Sequence, residues 1–267
     1  MFITFLSDFG LADDFVGTCH AVMKRIAPDV QIIDLTHGIR PRQVLQGAIV
    51  LANTIPYAPV GVHLAVVDPG VGSGRRGLVL EAGEGRYFVG PDNGLLIPAA
   101  ETVGGIHAAH ELTNPDYALT PVSATFHGRD VFSPAAANIA LGLPLAELGP
   151  PIDPESLMRL ELPAPAVTDL SIEATSLYVD RFGNMQLNLR REHLEHARIV
   201  PGRRVRLEVG GRAQDAVAAR TFADAEPGEL LLYADSYGNV ALAVNRGNAA
   251  ERLEAEAGVT VTIEVPA

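Results

Sequence analysis

An aspartate, a glycine-rich turn and an arginine follow a short apolar segment in the first third of the chain. Residues 61–67 read Gly-Val-His-Leu-Ala-Val-Val, and Asp68 and Arg75 come next along the chain. Apolar segments of this length are typical of strands buried in parallel sheets, whose ligands bind beyond the carboxyl ends of the strands. A carboxylate can accept a proton there, and a guanidinium can hold an anion. The pattern therefore predicts a site at Asp68 and Arg75.

The same turn contains the spacing of a dinucleotide-binding loop, G-x-G-x-x-G, at Gly72, Gly74 and Gly77. Such a loop must open a helix whose N-terminus holds the pyrophosphate. Residues 78–82 instead predict a strand, and residues 86–89 predict its hairpin partner. We therefore interpret the glycines as a turn that delivers the acid and the arginine to a site. A tight turn with solvated arginines is the purely structural alternative.

A histidine near the middle of the chain could transfer protons. His127 shares its loop with Arg129 and Asp130 and precedes a helix predicted over residues 132–141. Histidine is the side chain best suited to moving a proton at neutral pH. We predict that His127 joins the site, although a single histidine more often has a structural role.

The first part of the chain alternates strand, helix, strand, helix and strand patterns. This alternation predicts an α/β fold with a mostly parallel sheet, in which Asp8, Asp34 and Asp68 all lie at the carboxyl ends of strands. Asp8 and Asp68 precede glycine-containing turns and are candidates for a site. Asp34 is expected to cap a helix.

Prolines clustered between residues 144 and 165 indicate a linker, and short alternating runs after it predict a small antiparallel barrel or sandwich. We predict an α/β domain with the catalytic loops over residues 1–163 and a smaller β-barrel domain over residues 164–267. In the second domain, residues 180–189 and 235–244 both begin with a turn of the form D-x-aromatic-G-N. The side chains of these turns suit a purine, and ordinary hairpin turns are the alternative.

Composition and charge restrict the kinds of partner. The net charge of -12 argues against nucleic acid and permits a small cationic ligand. No apolar run is long enough to span a bilayer, and the N-terminus lacks the basic region of a signal peptide, so we expect no membrane partner. Cys19 is the only cysteine, which fits a reducing cytoplasm. His107 with His110 and His193 with His196 have helical i,i+3 spacing without a third ligand, so we expect neither a metal nor a cofactor.

Seven motifs together resemble one family. They are S-D-F-G at residues 7–10, D-D-F-V-G at 13–17, D-L-T-H-G-I at 34–39, V-D-P-G-V-G at 67–72, G-P-D-N-G at 90–94, F-H-G-R-D at 126–130 and D-R-F-G-N at 180–184. Over nearly the whole chain they resemble the S-adenosyl-L-methionine hydroxide adenosyltransferases, relatives of the fluorinase and chlorinase. The resemblance implies a homotrimer, an α/β N-terminal domain and a β-barrel C-terminal domain. The ligand would lie between domains of neighbouring subunits.

The resemblance also implies a reaction, in which S-adenosyl-L-methionine and water give adenosine and L-methionine. Asp68, Arg75 and His127 match the residues that activate water, and Asp8 matches the acid on the ribose hydroxyls. In the barrel domain, contacts to the adenine and methionine ends are implied for Asp180, Phe182, Asn184 and Ser236. Further binding residues implied by the resemblance are Asp13, Asn93 and Val244.

The chemistry that this reaction needs agrees with the residue types. Attack of hydroxide on a sulfonium joins an anion to a cation, so a dry pocket favours it. Free water has a pKa of about 15.7, so it needs help to lose a proton. An arginine can hold the nascent anion, and an acid with a histidine can take the proton. These three groups can together replace a metal. The sequence leaves open whether Asp68 or His127 is the base.

Two other functions remain open at this point. One is a halogenase on the same scaffold, and the other is a sensor that binds adenosine or S-adenosyl-L-methionine without turnover. Halogenases of the family place an aromatic residue, Thr and Ser where this chain has Asp68, Val71 and Gly128. A sensor has no use for a converging acid, arginine and histidine. We therefore predict hydrolysis.

Overall fold

The computed structural model describes residues 1–265, which divide into two compact units. The first unit runs from Met1 to Leu160, and the second begins at Glu161. The roles predicted for two domains, with a boundary after residue 163, stay predictions.

The first unit contains a six-stranded sheet with helices on both faces. Its strands are β1 (Phe2–Ser7), β2 (Gln31–Thr36), β3 (Gly61–Val66), β4 (Gly77–Ala82), β5 (Arg86–Pro91) and β6 (Ile106–Glu111). Its α-helices among the described residues are α1 (Phe15–Ile26), α2 (Val44–Thr54), α3 (Ile97–Thr102) and α4 (Ser133–Ala140).

The strand order is β2-β1-β3-β5-β4-β6. β1 pairs in parallel with β2 and with β3, and β3 pairs in parallel with β5, whereas β4 is antiparallel to both of its neighbours. This arrangement confirms the predicted α/β fold with a mostly parallel sheet. Because β1 and β3 are parallel neighbours, Asp8 and Asp68, which follow them in the chain, lie at the same edge of the sheet.

Alternation along the central strands explains the two faces of the sheet. Ile3 and Leu64 pack with residues of α1 and α4, whereas Leu6 and Ala65 pack with residues of α2 and α3. All six residues of β3 are buried, as its continuous apolar sequence predicts. The two core clusters hold the carboxyl ends of β1 and β3 rigidly beside each other.

The strand β6 lies where the sequence analysis gave two histidines a helical spacing. His107 and His110 both lie on it, so their predicted helical spacing is wrong. Side chains three residues apart on a strand point to opposite faces, and these two histidines therefore cannot share a ligand. His110 instead contacts the carbonyl oxygen of Gly149, with 2.9 Å between Nδ1 and the oxygen.

The second unit is a closed barrel. Its strands are β7 (Ala166–Val167), β8 (Ser171–Val179), β9 (Met185–Arg190), β10 (Arg204–Val209), β11 (Arg212–Ala219), β12 (Leu230–Ala234), β13 (Asn239–Val244) and β14 (Thr260–Glu264), and its helices among the described residues are α5 (Arg191–His196) and α6 (Ala249–Leu253). The strand order is β14-β10-β11-β12-β13-β9-β8-β7, and a further pairing of β14 with β8 closes the sheet. All pairs are antiparallel except β11 with β12. The predicted antiparallel barrel is confirmed.

Strand sequences explain which side chains fill the barrel. In β10, Val205, Leu207 and Val209 are buried, and the arginines and glutamate between them are exposed. This alternation is the pattern of a strand with one face in a core and one in water. None of the helices within residues 1–265 has the length and apolar character that crossing a bilayer requires.

Candidate active site

A carboxylate and a guanidinium meet at the end of β3. Nε of Arg75 donates to both oxygens of Asp68, at 3.0 Å to Oδ1 and 3.1 Å to Oδ2, and Nη2 of Arg75 also donates to Oδ2. The Asp68 side chain is 6% exposed and the Arg75 side chain 11%. Charge-assisted bonds to both oxygens fix the carboxylate plane against the guanidinium plane. The sequence prediction that these two residues converge is met by this geometry.

The glycine-rich turn between these residues rests on the loop that carries His127. Gly72 has a φ of +76°, and a Cβ at this position would overlap the carbonyl oxygen of Ala124. Ser73 Oγ donates to the carbonyl oxygen of Gly70 at 2.6 Å, which tightens the turn. The backbone contact at Gly72 explains why this part of the turn has no side chain. The turn thereby brings Arg75 to the loop of residues 123–127.

His127 completes a three-residue cluster. Nη2 of Arg75 lies 2.9 Å from Nδ1 of His127. Because a guanidinium only donates, Nδ1 must be the acceptor, and the proton of the neutral ring is on Nε2. Burial first, and then the positive charge of Arg75, lower the pKa of His127 below its ordinary value. The ring is therefore neutral at neutral pH.

The neighbours of His127 in its loop have a separate role. Arg129 donates to its neighbour Asp130, with 2.6 Å from Nε to Oδ1 and 2.9 Å from Nη2 to Oδ2. Asp130 also accepts from the backbone N–H of Ser123 at 2.8 Å. Asp130 is buried whereas the Arg129 side chain is 34% exposed, and the pair holds the shape of the loop together with a bond from the backbone N–H of Asp130 to the carbonyl oxygen of Phe126 at 3.1 Å.

Aromatic rings form an apolar wall beside the cluster. Phe9 and Phe126 pack edge to face with 5.8 Å between ring centroids, and Phe15 packs on Phe126 at 5.2 Å. A Cβ at Gly128 would lie only 2.9 Å from Cζ of Phe9. The glycine after His127 therefore lets the Phe9 ring approach the loop closely, and the wall lowers the local polarity around the imidazole.

Asp8 lies close enough to Asp68 for the two carboxylates to interact. Its Oδ2 accepts from the backbone N–H of Arg42 at 2.8 Å. Burial is the largest influence on Asp8 and raises its pKa, and the negative charge of Asp68 acts in the same direction. The binding of ribose hydroxyls by this carboxylate, which the family resemblance implies, stays a prediction.

The other predicted residues of the first unit differ in placement. Asn93 holds the end of β3, since its Nδ2 donates to the carbonyl oxygen of Val67 at 2.8 Å and its Oδ1 accepts from the backbone N–H of Leu95 at 3.2 Å. Its side-chain amide is thus bound to backbone immediately before Asp68. Asp13 is exposed in the segment before α1 and is not brought into the cluster by any described contact.

Asp34 does not cap a helix, contrary to the sequence expectation. It lies within β2, and the next helix, α2, begins at Val44 with Gln43 as its N-cap. The side chain of Asp34 instead contacts His20 and His37. The two histidines approach Asp34 from α1 and from the turn after β2, which the sequence spacing alone did not reveal.

The repeated turns of the barrel unit have the same internal hydrogen bonds. Oδ1 of Asp180 accepts from the backbone N–H groups of Phe182 at 2.8 Å and Asn184 at 3.0 Å. Oδ1 of Asp235 accepts from those of Tyr237 at 2.8 Å and Asn239 at 2.9 Å. Each aspartate thus stabilises its own turn, and this structural role is sufficient to explain why the D-x-aromatic-G-N pattern occurs twice.

A cavity of about 670 Å³ opens beside the first of these turns. It is lined by Asp180, Phe182, Asn184, Phe222, Tyr233, Val244, Arg246 and Gly247. Four predicted residues thus share one cavity, whereas Ser236 is exposed and is not among the lining residues. Burial raises the pKa of the Tyr233 hydroxyl to about 12.

Sequence reasoning missed Phe222, Tyr233 and Arg246, which line this cavity. Only Tyr233 carries a signal, because it lies near the end of the apolar strand β12 with a side chain that is both aromatic and polar. Phe222 and Arg246 lie in connections between strands, where no periodicity marks a functional residue.

Fold and site together define a class of protein: an α/β unit with an acid, a guanidinium and an imidazole at the carboxyl edge of its sheet, joined in one chain to a closed barrel. Residues 3–149 match the pattern of the SAM hydroxide adenosyltransferase N-terminal domain, and residues 174–262 match that of the C-terminal domain. The chain belongs to the SAM hydroxide adenosyltransferase family.

Individual relatives agree with this assignment. An (R)-S-adenosyl-L-methionine hydrolase of Salinispora tropica is 51% identical over 94% of this chain and 93% of its own. A fluorinase of an Actinoplanes species is 31% identical over 98% of this chain and 96% of its own. Among solved structures, an uncharacterized conserved protein from Thermotoga maritima aligns with a TM-score of 0.90 at 36% identity, over 98% of this chain and 99% of that one.

Proposed function

We propose that this protein is an enzyme that hydrolyses S-adenosyl-L-methionine to adenosine and L-methionine. The supporting observation is the contact of Asp68 and His127 with one guanidinium, that of Arg75, at the edge of a parallel sheet. The hydrolase name of a relative that is 51% identical supports the same reaction.

The proposed step conserves atoms and charge. The oxygen of water forms a bond to the ribose C5', and the bond between C5' and sulfur breaks with its electron pair remaining on sulfur. The water proton passes to an active-site base and then to solvent. The sulfonium charge disappears as methionine leaves, so a site that excludes water favours the transition state.

The hydrogen bond between Arg75 and His127 supports a proposal for the base. Nδ1 of His127 already accepts a proton from the guanidinium, and its Nε2 carries a proton. Neither nitrogen is then free to accept a proton from water. Asp68 has lone pairs besides those that face Arg75, so we assign the general base to Asp68 and a donated hydrogen bond from Nε2 to His127.

Arg75 stabilises the charge that develops on the attacking oxygen. Its guanidinium is planar and positively charged, and the Phe132 ring lies 5.0 Å from its central carbon. Asp8 is assigned to the ribose hydroxyls, and Asp13 and Asn93 to further contacts around the substrate.

Residues of the barrel unit are proposed to bind the adenosyl and methionyl ends of the substrate. Asp180, Phe182, Asn184 and Val244 line the cavity of that unit, and Ser236 stands on the turn that repeats it. A homotrimer is the assembly that the family resemblance implies, and light scattering tests it. A cytoplasmic location stays a prediction from cysteine content.

A halogenase is the second candidate, because a fluorinase is 31% identical to this chain. The pocket argues against it. Asp68 places a carboxylate where a halide would have to sit, and Val71 and Gly128 offer no hydroxyl to replace the water that a halide loses. We therefore expect adenosine to form without halide, and no 5'-chloro- or 5'-fluoro-5'-deoxyadenosine at molar halide.

The test is turnover in oxygen-labelled water, with both products weighed by mass spectrometry. We expect label in adenosine and none in methionine, because the activated water attacks the ribose carbon. In Asp68→Asn we expect turnover to be lost while calorimetry still detects substrate binding. Label in methionine would contradict the proposed step, and binding without turnover in the unaltered protein would favour the sensor.

A further inference from the structure

A second cluster of potential ligands lies on the first unit, apart from the three-residue cluster of the active site. It consists of His20 on α1, Asp34 on β2 and His37 in the turn after β2, and we call it the His-Asp-His cluster. One oxygen of Asp34, Oδ1, lies 2.8 Å from Nε2 of His20 and 3.1 Å from Nε2 of His37. The three ligand atoms all lie within 4.8 Å of one another.

A hydrogen-bonded network explains only part of this cluster. His20 makes a well-formed hydrogen bond to Asp34. His37 does not: its Nε2 is buried and has no hydrogen-bond partner among the described residues, although Oδ1 of Asp34 lies 3.1 Å away. The residue is only 4% exposed, so water cannot easily replace the missing partner. An unsatisfied buried nitrogen in a native fold needs an explanation, and a bound ion is one that fits this site.

The surroundings of His37 prepare Nε2 as an electron-pair donor. Its Nδ1 lies 2.7 Å from Oγ of Ser7. If Nδ1 donates to that hydroxyl, the proton is on Nδ1 and Nε2 carries the free lone pair. The Phe5 ring packs edge to face on the imidazole at 4.6 Å between centroids and fixes its plane. A histidine whose second nitrogen is held by a hydrogen bond is the usual form of a metal ligand.

The remaining ligands are placed so that a cation could reach them. The side chain of His20 is 31% exposed and that of Asp34 is 41% exposed, whereas that of His37 is 2% exposed. The cluster is therefore open on one side and rigid on the other. Two neutral imidazoles and one carboxylate carry a charge of -1, which attracts a divalent cation.

We propose that the His-Asp-His cluster binds one divalent transition-metal ion such as Zn²⁺. Two imidazole nitrogens and one carboxylate oxygen suit zinc and its neighbours rather than calcium or magnesium, which prefer oxygen. Three protein ligands leave the fourth position of a tetrahedral ion for water. In this site the ion ties α1 to the edge strand β2, and it has no part in the proposed hydrolysis.

The sequence could not reveal this site. His20 is separated from Asp34 and His37 by a helix end and a strand, and the three meet only because β2 pairs with β1 and α1 packs on the same sheet. From the sequence alone no metal is expected, because the other histidine pairs lack a third ligand. The proposed site departs from that expectation.

The test is titration of the metal-free protein with Co²⁺, whose visible absorption reports its coordination, followed by competition with Zn²⁺. We expect one equivalent to bind and the melting temperature to rise with metal. His20→Ala and Asp34→Asn should each weaken Co²⁺ binding at least tenfold. Because both side chains are partly exposed, these variants should fold, and a circular dichroism melt without metal checks that.

Matched controls use exposed residues of the same unit. His107→Ala removes an exposed histidine and Asp29→Asn removes an exposed acid, and both should leave the affinity for Co²⁺ unchanged. The proposal is overturned if no saturable binding occurs at a large excess of Co²⁺. Equal affinity in His20→Ala, Asp34→Asn and the two controls would overturn it as well, because the metal would then be bound elsewhere.

Discussion

At the scale of single residues, Arg75 is the group on which the site depends. One guanidinium contacts both oxygens of Asp68 and Nδ1 of His127, so it sets the orientation of the proposed base and the tautomer of the imidazole together. A lysine has a single charged nitrogen and cannot make the planar contact with Asp68 while also reaching His127.

Arg75→Lys should therefore lose most turnover although it keeps the charge. We expect kcat to fall about 100-fold, the size of effect seen when one donor to a developing oxyanion is removed. Steady-state kinetics with S-adenosyl-L-methionine measure it. The control is Arg76→Lys, because Arg76 pairs with Asp92 through its Nε at 2.8 Å rather than with Asp68. Equal rates in the two variants would remove Arg75 from the mechanism.

Residue types and spacing predicted a site at Asp68 and Arg75, and the family resemblance added His127 to it. Asp68 ends a buried strand and Arg75 follows a glycine turn, so both positions are visible in the sequence. The hydrogen bond that fixes the His127 tautomer is not visible, because it depends on the distance between two loops that are far apart in the chain. The proposal that Asp68 is the base therefore rests on the fold and not on the sequence.

At the scale of elements, the glycine turn and the loop before α4 are fixed to each other by close contact. Gly72 fits under the carbonyl oxygen of Ala124, and its φ of +76° is one that side chains rarely adopt. The contact fixes the distance between Arg75, on one element, and His127, on the other.

Gly72→Ala should accordingly damage both stability and activity. Overlap with a backbone oxygen and the positive φ together should lower the free energy of unfolding by about 2 kcal/mol. Turnover should fall by more than this loss of folded protein explains. The added methyl group would push the glycine turn away from the loop before α4, and this would separate Arg75 from His127. Urea denaturation and kinetics measure the two effects. Gly74→Ala is the control, since no heavy atom of the described residues lies within 4 Å of a Cβ there. Similar losses in both variants would contradict this role for Gly72.

Elements with clear periodicity were predictable, and those without it were not. The alternation of exposed and buried residues in β10 follows directly from its alternating sequence. The strand β11 begins with polar and charged residues and continues into alanines, so it shows no clear alternation, and Val217 is its one β-branched residue. It is a strand because β10 and β12 pair with it on either side.

At the scale of the whole molecule, a buried histidine links the stability of the first unit to pH. His63 is fully buried in β3, where Nδ1 lies 2.9 Å from Oγ1 of Thr4 and Nε2 lies 3.3 Å from Nη1 of Arg86. Burial first, and then the charge of Arg86, lower its pKa from 6.5 to about 3. The folded protein therefore holds His63 neutral.

Below pH 6.5 the unfolded chain binds a proton at His63, whereas the folded chain does not bind one until the pH approaches 3. This residue therefore contributes stability above pH 6.5, and the contribution is lost as the pH falls toward 3. Between pH 6.5 and about 5 the loss should reach about 2 kcal/mol. Urea denaturation at a series of pH values measures it. His63→Gln keeps polar atoms for Thr4 and Arg86 without titrating, and its stability should depend less on pH over this interval. Identical pH profiles for the two proteins would rule out His63 as the source.

The pairing that closes the barrel has a consequence for how the chain folds as it is synthesised. The first unit ends at Leu160, so all of its strands have been made before the barrel begins, and it can fold while translation continues. The barrel cannot close in this way, because β14 must pair with both β8 and β10. Until Thr260–Glu264 has left the ribosome, both of these strands have a bare edge that can pair with another nascent chain. The cell therefore has to protect the second unit for longer than the first.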